Sequence, residues 1–242
     1  MLEALIFDVD GTLADTERDG HRVAFNAAFR EAGLPWNWDI ELYGQLLAVT
    51  GGKERMVYYA RRYAPELAAK PGFDNLVRKL HVLKTEYYVQ LVHAGGLPLL
   101  PGVGSLLREA RALGMRLAIA TTTSPENVYA LLRASLAPDA EGWFEVIGAG
   151  DVVPAKKPAP DIYLWVLEKL GLPAAACLAL EDSVNGLRSA LAAGVPTLVC
   201  EADYTRGGNF SGALACVSSL EGISLDQLHQ LHGGMGYPGS PA

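Results

Sequence analysis

Two carboxylates, Asp8 and Asp10, stand two residues apart where the apolar run Ala4-Leu5-Ile6-Phe7 ends, and Gly11-Thr12-Leu13 comes directly after. A short, continuous apolar run reads as a strand buried on both faces of a parallel sheet. Gly11 lets the chain turn sharply after it. Open parallel α/β sheets bind ligands at the carboxyl ends of their strands, so both acids face the place where chemistry occurs. Ionised together they repel, and a divalent cation is the simplest remedy. The pair reads as a nucleophile beside a metal.

Three more polar segments succeed apolar runs further along. Thr121-Thr122-Thr123-Ser124 comes after 116–120, Lys156-Lys157-Pro158 lies between a short strand and its next helix, and Glu181-Asp182-Ser183 comes after 177–180. In a parallel sheet these endings converge on one crevice with Asp8 and Asp10. A nucleophilic carboxylate, a second acid, a hydroxyl, an ammonium and a further acid pair are the parts that phosphoryl transfer needs. Thr122 and Thr123 read either as packed loop residues or as ligand contacts.

The elements that must hold these residues can be read from periodicity. Residues 18–32 form a helical pattern closed by Gly33-Leu34-Pro35, with Val23, Ala27 and Ala28 as its apolar face and Phe25 and Phe29 alongside. Further helices are predicted over 39–48, 52–63 and 73–93, with no strand between them. Residues 16–95 are therefore expected to be an all-helical insert, bounded by Asp15-Thr16 and Ala94-Gly95-Gly96-Leu97-Pro98. From 101 onward helices and strands alternate: helix 103–113, strand 116–120, helix 125–135, strand 145–148, helix 160–170, strand 177–180, helix 184–193 and strand 196–200. That alternation predicts a doubly wound parallel sheet, a Rossmann-like core made of 1–15 and 96–232. The Gly- and Pro-rich tail 233–242 is expected to be disordered.

The insert carries a second concentration of charge. Gly51 and Gly52 precede a helix whose first turn holds Lys53 and Arg55. Cations there oppose the helix dipole unless an anion is shared. His81 and Lys84, three apart on a helix, face the same way. A phosphate distant from the one being cleaved would explain both clusters. The alternative is a solvated helix start and a surface His–Lys pair.

Composition bounds the rest. The 242 residues are 50% hydrophobic, ample for a large core, and the net charge of −7 argues against nucleic acid as a partner. The acidic excess lies outside 16–95, where basic residues slightly outnumber acidic ones. Cys177, Cys200 and Cys216 lack metal-like spacing, and the first two read as buried free thiols of a reducing compartment. There is no long uncharged apolar run, and a strand begins almost at once. The expectation is a soluble, cytoplasmic monomer acting on a small molecule, stromal only if a transit peptide has been removed.

Taken together, Asp8-Val9-Asp10-Gly11-Thr12, Thr121, Lys157 in Lys157-Pro158-Ala159-Pro160-Asp161, and Glu181-Asp182 resemble the four motifs of the haloacid-dehalogenase-like phosphohydrolases. The resemblance covers nearly the whole chain and implies a Rossmann-like core with a helical cap inserted after the first motif. It implies that Asp8 attacks phosphorus and becomes an aspartyl phosphate, and that Asp10 protonates the departing oxygen and then activates water. Thr121 would hydrogen-bond a phosphoryl oxygen. Lys157, immediately before the proline of the pattern, would hold Asp8, leaving Lys156 as a flanking charge. Mg²⁺ would sit on the Asp8 side chain, the Asp10 backbone carbonyl and Asp182, with Glu181 reached directly or through water.

Asp15-Thr16-Glu17-Arg18-Asp19-Gly20-His21, Gly51-Gly52-Lys53-Glu54-Arg55 and Thr121-Thr122-Thr123-Ser124 are similar to the CbbY proteins, especially the plant and algal type. Those act beside the carbon-fixation enzymes of the Calvin cycle. They dephosphorylate xylulose-1,5-bisphosphate, a Rubisco misfire product that inhibits that enzyme, to xylulose 5-phosphate. The resemblance implies that Glu17 and the 51–55 segment contact a sugar bisphosphate, with Lys84 and Ser124 beside them. His21 reads as a contact or a packed cap histidine, and bacterial members tend to lack one residue between Thr16 and His21. A β-phosphoglucomutase-like mutase or another small phosphosugar phosphatase shares the four motifs, although Gly51-Gly52-Lys53-Glu54-Arg55 departs from the mutase cap pattern. A non-catalytic phosphosugar-binding regulator on the same fold is the alternative from outside catalysis.

Overall fold

The computed structural model describes residues 1–95 and 97–234. The expected disordered tail thus lies, from residue 235 onward, outside the described residues. Six parallel strands form one sheet in the order β3-β2-β1-β4-β5-β6. They are β1 (Ala4–Phe7), β2 (Arg116–Ala120), β3 (Val146–Gly148), β4 (Cys177–Glu181), β5 (Thr197–Cys200) and β6 (Ala215–Val217). Strand β1 is central, so successive side chains point into two different cores. Leu5 and Phe7 join one apolar cluster, and Ala4 and Ile6 join the other.

Five helices lie between β1 and residue 95: α1 (Arg22–Glu31), α2 (Ile40–Leu46), α3 (Gly52–Tyr63), α4 (Pro65–Ala68) and α5 (Phe73–His93). No strand interrupts them. They bury a cluster of their own around Phe25, Phe29, Trp38, Tyr43, Met56 and Leu80. The side-chain amide of Asn26 bonds both the carbonyl and the N–H of Trp38, closing the connection from α1 to α2. The remaining helices, α6 (Val103–Ala112), α7 (Pro125–Ser135), α8 (Asp161–Leu170), α9 (Val184–Ala192) and α10 (Leu225–His232), cover the sheet.

Three differences from the sequence reading have physical causes. The helix expected from residue 18 opens with a π-helical turn, Glu17–His21, before α1 begins. A π turn takes in an extra residue and so rotates the helix that continues from it. Helix α1 therefore buries Ala24, Phe25, Ala28 and Phe29, while Val23, assigned to the apolar face, is exposed. Gly20 lies within this turn because a Cβ there would come within 2.9 Å of Leu97 and 3.1 Å of Tyr88. Finally, β6 and α10 continue the core beyond residue 200, where no element was expected. The signal for α10 was a capping box, Ser224 with Gln227, ahead of buried Leu225, Leu228 and Leu231.

The inserted helices touch the rest of the protein at few polar points. Asn185 Nδ2 donates to Thr50 Oγ1 at 3.1 Å, Tyr204 Oη to the Ile40 carbonyl at 3.2 Å, and Lys53 pairs with Asp151. Cys177 and Cys200 are buried thiols and Cys216 is exposed, all three free. Among the described residues, no helix is long and apolar enough to cross a membrane.

Candidate active site

Register decides which residues meet. Phe7 stands opposite Ile119 on one side and Leu180 on the other, so Asp8, Thr121 and Glu181 leave the sheet at nearly one level. Gly11 has φ 82° and lies so close to Asp182 that a Cβ would sit 2.4 Å from its Oδ2. Only glycine combines that backbone with that approach. The first motif is thereby folded down onto the fourth.

Lys157 Nζ donates to Asp8 Oδ1 at 2.7 Å and to Glu181 Oε1 at 2.6 Å, and all three groups are buried. Lys156 instead bonds Asp151 Oδ1 at 2.7 Å and the Gly150 carbonyl at 2.5 Å. Burial, above all, raises the Asp8 carboxyl to about 7 against the pull of Lys157. Asp182 is pushed well above the usual carboxylate range by burial and then by Asp8 and Glu181. Burial opposes the Lys157 charge, yet Asp8 and Glu181 beside it raise its pKa and keep it an ammonium.

Asp8, Glu181 and Asp182 each offer an oxygen within 4.8 Å of the others. Glu181 Oε2 is buried and has no hydrogen-bond partner among the described residues. Three crowded carboxylates against one ammonium, with an all-oxygen donor set, fit a hard divalent cation. The residues present therefore suit Mg²⁺.

The Asp10 carboxylate lines the same crevice but is held by the segment that follows it. Its Oδ1 accepts from Thr16 Oγ1 at 2.5 Å and from His21 Nε2 at 2.8 Å. Burial works to raise its pKa, but the charge and hydrogen bond of His21, with the Thr16 bond, lower it to about 2. His21 Nδ1 in turn lies 2.8 Å from Lys84 Nζ, and its ring stacks on Tyr88 with centroids 4.3 Å apart. His21 is thus packed and bonded at once, and the Lys84 ammonium is 4% exposed rather than on the surface. Burial lowers the Lys84 pKa to about 8, against Asp10 and Glu17.

The remaining residues singled out in the sequence gather around this pair. Thr121 is buried on the crevice wall with Thr122 beside it, and the Thr123 backbone N–H bonds Thr121 Oγ1 at 3.3 Å. Thr123 Oγ1 accepts from Asn127 Nδ2 at 3.1 Å. Glu17 Oε2 accepts from Tyr43 Oη at 2.5 Å, and Tyr43 Oη accepts from Arg55 Nη1 at 2.8 Å. Gly51, Gly52, His81, Lys84 and Ser124 line a small adjoining pocket shared with Asp10 and Glu17. There the Ser124 Oγ is buried without a partner among the described residues, and the His81 pKa is lowered to about 4 by burial, then by Lys84 and Lys53. Lys53 stands at the outer edge, in a wider cleft of about 450 Å³, engaged with Asp151.

The crevice proper, of about 100 Å³, is lined in part by residues that the sequence did not single out, Leu47, Asn185, Ala202, Tyr204 and Thr205. Thr16, Tyr43, Asp151, Tyr163 and Asn185 all bond to site or cap residues. Thr16 lies in a motif, but its partner could not be read from spacing. The others are drawn in only by folding.

Known proteins show which family the chain belongs to. The chain is 52% identical over 219 residues to protein CbbY of Cupriavidus necator, covering 90% of this chain and 86% of that one. It is also 52% identical over 230 residues to protein CbbY of Rhodobacter capsulatus, covering 95% and 99%. Crystal structures of CbbY from Rhodobacter sphaeroides, one in complex with phosphate and one, of a mutant, with xylulose-1,5-bisphosphate, superpose with TM-scores of 0.86 at 45% identity, covering 93% of this chain and 98% of theirs. The family model for haloacid dehalogenase-like hydrolases matches residues 2–194. The chain belongs to the haloacid dehalogenase-like hydrolases.

Proposed function

We propose that this phosphatase hydrolyses xylulose-1,5-bisphosphate to xylulose 5-phosphate and inorganic phosphate. The observation that carries this reading is a second anion-seeking pocket next to the acid crevice. It brings together Lys84, His81, the Gly51–Gly52 helix start and the unpartnered Ser124 hydroxyl, with Asp10 and Glu17 on the shared wall. A substrate with a phosphate at each end would span both. The Rhodobacter sphaeroides protein bound to xylulose-1,5-bisphosphate supports that choice of sugar. The role in clearing a Rubisco inhibitor belongs to the same reading. We take residues 16–95 as the cap and 1–15 with 96–232 as the catalytic core.

In the proposed reaction an Asp8 oxygen attacks phosphorus in line and the bond from phosphorus to the sugar oxygen breaks. Asp10, a carboxylate in the free protein that takes up a proton when the anionic substrate binds, gives that oxygen its proton. Water then attacks the aspartyl phosphate, Asp10 takes the water proton, and the bond to Asp8 breaks to release phosphate. Lys157 holds Asp8 in place and neutralises charge on the phosphoryl oxygens, and Thr121 donates to one of them. Asp8, Asp182 and the Asp10 carbonyl would hold Mg²⁺, with Glu181 beside it, and the bound ion supplies charge neutralisation at the phosphoryl group. Glu17, Tyr43 and Arg55 form a rigid wall for sugar hydroxyls.

The test is a panel of sugar phosphates with Mg²⁺, scored by kcat/KM for phosphate release. Xylulose-1,5-bisphosphate should exceed ribulose-1,5-bisphosphate and glucose 1-phosphate by about 100-fold or more. Conversion of glucose 1-phosphate to glucose 6-phosphate without net phosphate release would establish a mutase instead. Tight sugar-phosphate binding with no turnover of any member would establish a regulator.

A further inference from the structure

We propose that Tyr163 is a positioning residue for Lys157, acting through Glu181. It rests on the reading above, in which Lys157 serves the phosphoryl-transfer step at Asp8. Tyr163 sits on α8, just beyond the Lys157-Pro158 segment, with its ring fully buried in one of the two cores that flank the sheet. Its hydroxyl donates to Glu181 Oε1 at 2.5 Å, the same oxygen that accepts from Lys157 Nζ at 2.6 Å. The face of the ring lies against the ammonium itself, 5.3 Å from the centroid.

Glu181 has little else to fix it. Its other oxygen, Oε2, has no partner and is pressed toward α9, where a Cβ on Gly186 would come within 1.8 Å of it. Nothing on that side holds the carboxylate by a hydrogen bond. The phenol is therefore the group that turns one oxygen toward Lys157 and keeps it there. The same arrangement divides labour within the ammonium: one proton is committed to Glu181, one to Asp8, and the third remains for the phosphoryl group. Without the phenol, Glu181 can swing toward a cation or toward Lys157 with either oxygen, and the ammonium loses its fixed aim. A buried carboxylate that shares one oxygen between a neutral and a charged donor is also a stiffer anchor than one held by the lysine alone.

The experiment pairs Tyr163→Phe, which keeps the ring and removes only the hydroxyl, with Glu181→Gln and with the double variant. p-Nitrophenyl phosphate serves as the substrate, so that the result does not depend on which sugar the cap accepts. The expected result for Tyr163→Phe is a fall in kcat of about 5- to 20-fold with KM changed less than about twofold. In the double variant the two losses should not multiply, since the phenol acts only by way of Glu181. An unchanged kcat in Tyr163→Phe, or losses that multiply independently, would overturn the proposal. A merely structural role would instead lower the melting temperature without separating kcat from KM, and that outcome also overturns it. Should Tyr163→Phe not fold, Tyr163→Met with the same Glu181 cycle gives the same readout. Retained turnover in Asp8→Asn would refute the nucleophile and leave this comparison intact.

Discussion

His21 Nε2 lies 2.8 Å from Asp10 Oδ1, and because Asp10 is held as a carboxylate, that nitrogen is the donor. The other ring nitrogen lies 2.8 Å from Lys84 Nζ, so the imidazole bridges the Asp10 carboxylate and the Lys84 side chain. In the proposed reaction a carboxylate at Asp10 is the form that activates water in the second step. His21→Ala removes the dominant group lowering its pKa, so the Asp10 pKa should rise from about 2 towards the ordinary carboxylate range or above it. Turnover should fall by about 10- to 100-fold. The acid limb of the pH–rate profile should move to higher pH, and an unmoved limb would show that His21 does not tune Asp10.

Asp8→Asn should abolish phosphate release while stabilising the protein in the absence of metal. The folded-state pKa of Asp8 is raised to about 7, so its ionised form is disfavoured in the folded state. Such a group contributes most stability below its unfolded pKa, and the contribution is lost as pH rises through about 7. An amide removes that penalty. The melting temperature measured at about pH 8 with chelator should rise by a few degrees, and a fall would contradict it.

The same sign governs the metal. Asp8 and Asp182 both have raised pKa values, so metal-free stability declines from mildly acidic to mildly alkaline pH. Mg²⁺ should therefore raise the melting temperature more at about pH 8 than at about pH 5.5, where protons compete for the same oxygens. Thermal shifts with and without chelator check this. Equal shifts at both pH values would place the ion elsewhere.

Asp151 bonds both Lys156 and Lys53, which lower its pKa to about 2. In doing so it occupies an ammonium at the mouth of the distal pocket. Asp151→Asn should release Lys53 and lower KM for a bisphosphate by about two- to fivefold, with little change for p-nitrophenyl phosphate. Lys53→Ala should raise KM for the bisphosphate alone. Because Asp151 is exposed and Lys53 partly so, both effects should shrink as salt rises.

The candidate catalytic residues were legible because strand ends put them there. Asp8, Thr121 and Glu181 needed only the apolar runs before them and the parallel register to be placed together. Lys157 and Lys156 could not be separated by composition, since the difference between them is which one points inward. Tyr43, Asn185 and Tyr163 were invisible for a different reason. Each acts through a partner at least 18 positions away in the chain, and tyrosines at helical spacing look like ordinary core. Strand β6 escaped because three residues, Ala215–Val217, carry too little periodicity to stand out after the polar stretch before them.

The π turn at Glu17–His21 has a consequence for how this fold tolerates change. Thr16 stands at its start and His21 at its end, and both side chains reach the same oxygen of Asp10. Spacing along the chain is therefore adjustable here while reach is not: a homologue one residue shorter need only wind the same segment as an ordinary α turn to close an equivalent grip. Insertions and deletions that would ruin a strand can be absorbed at this elbow, so the cap's attachment can drift in length through evolution with the acid it serves left in place.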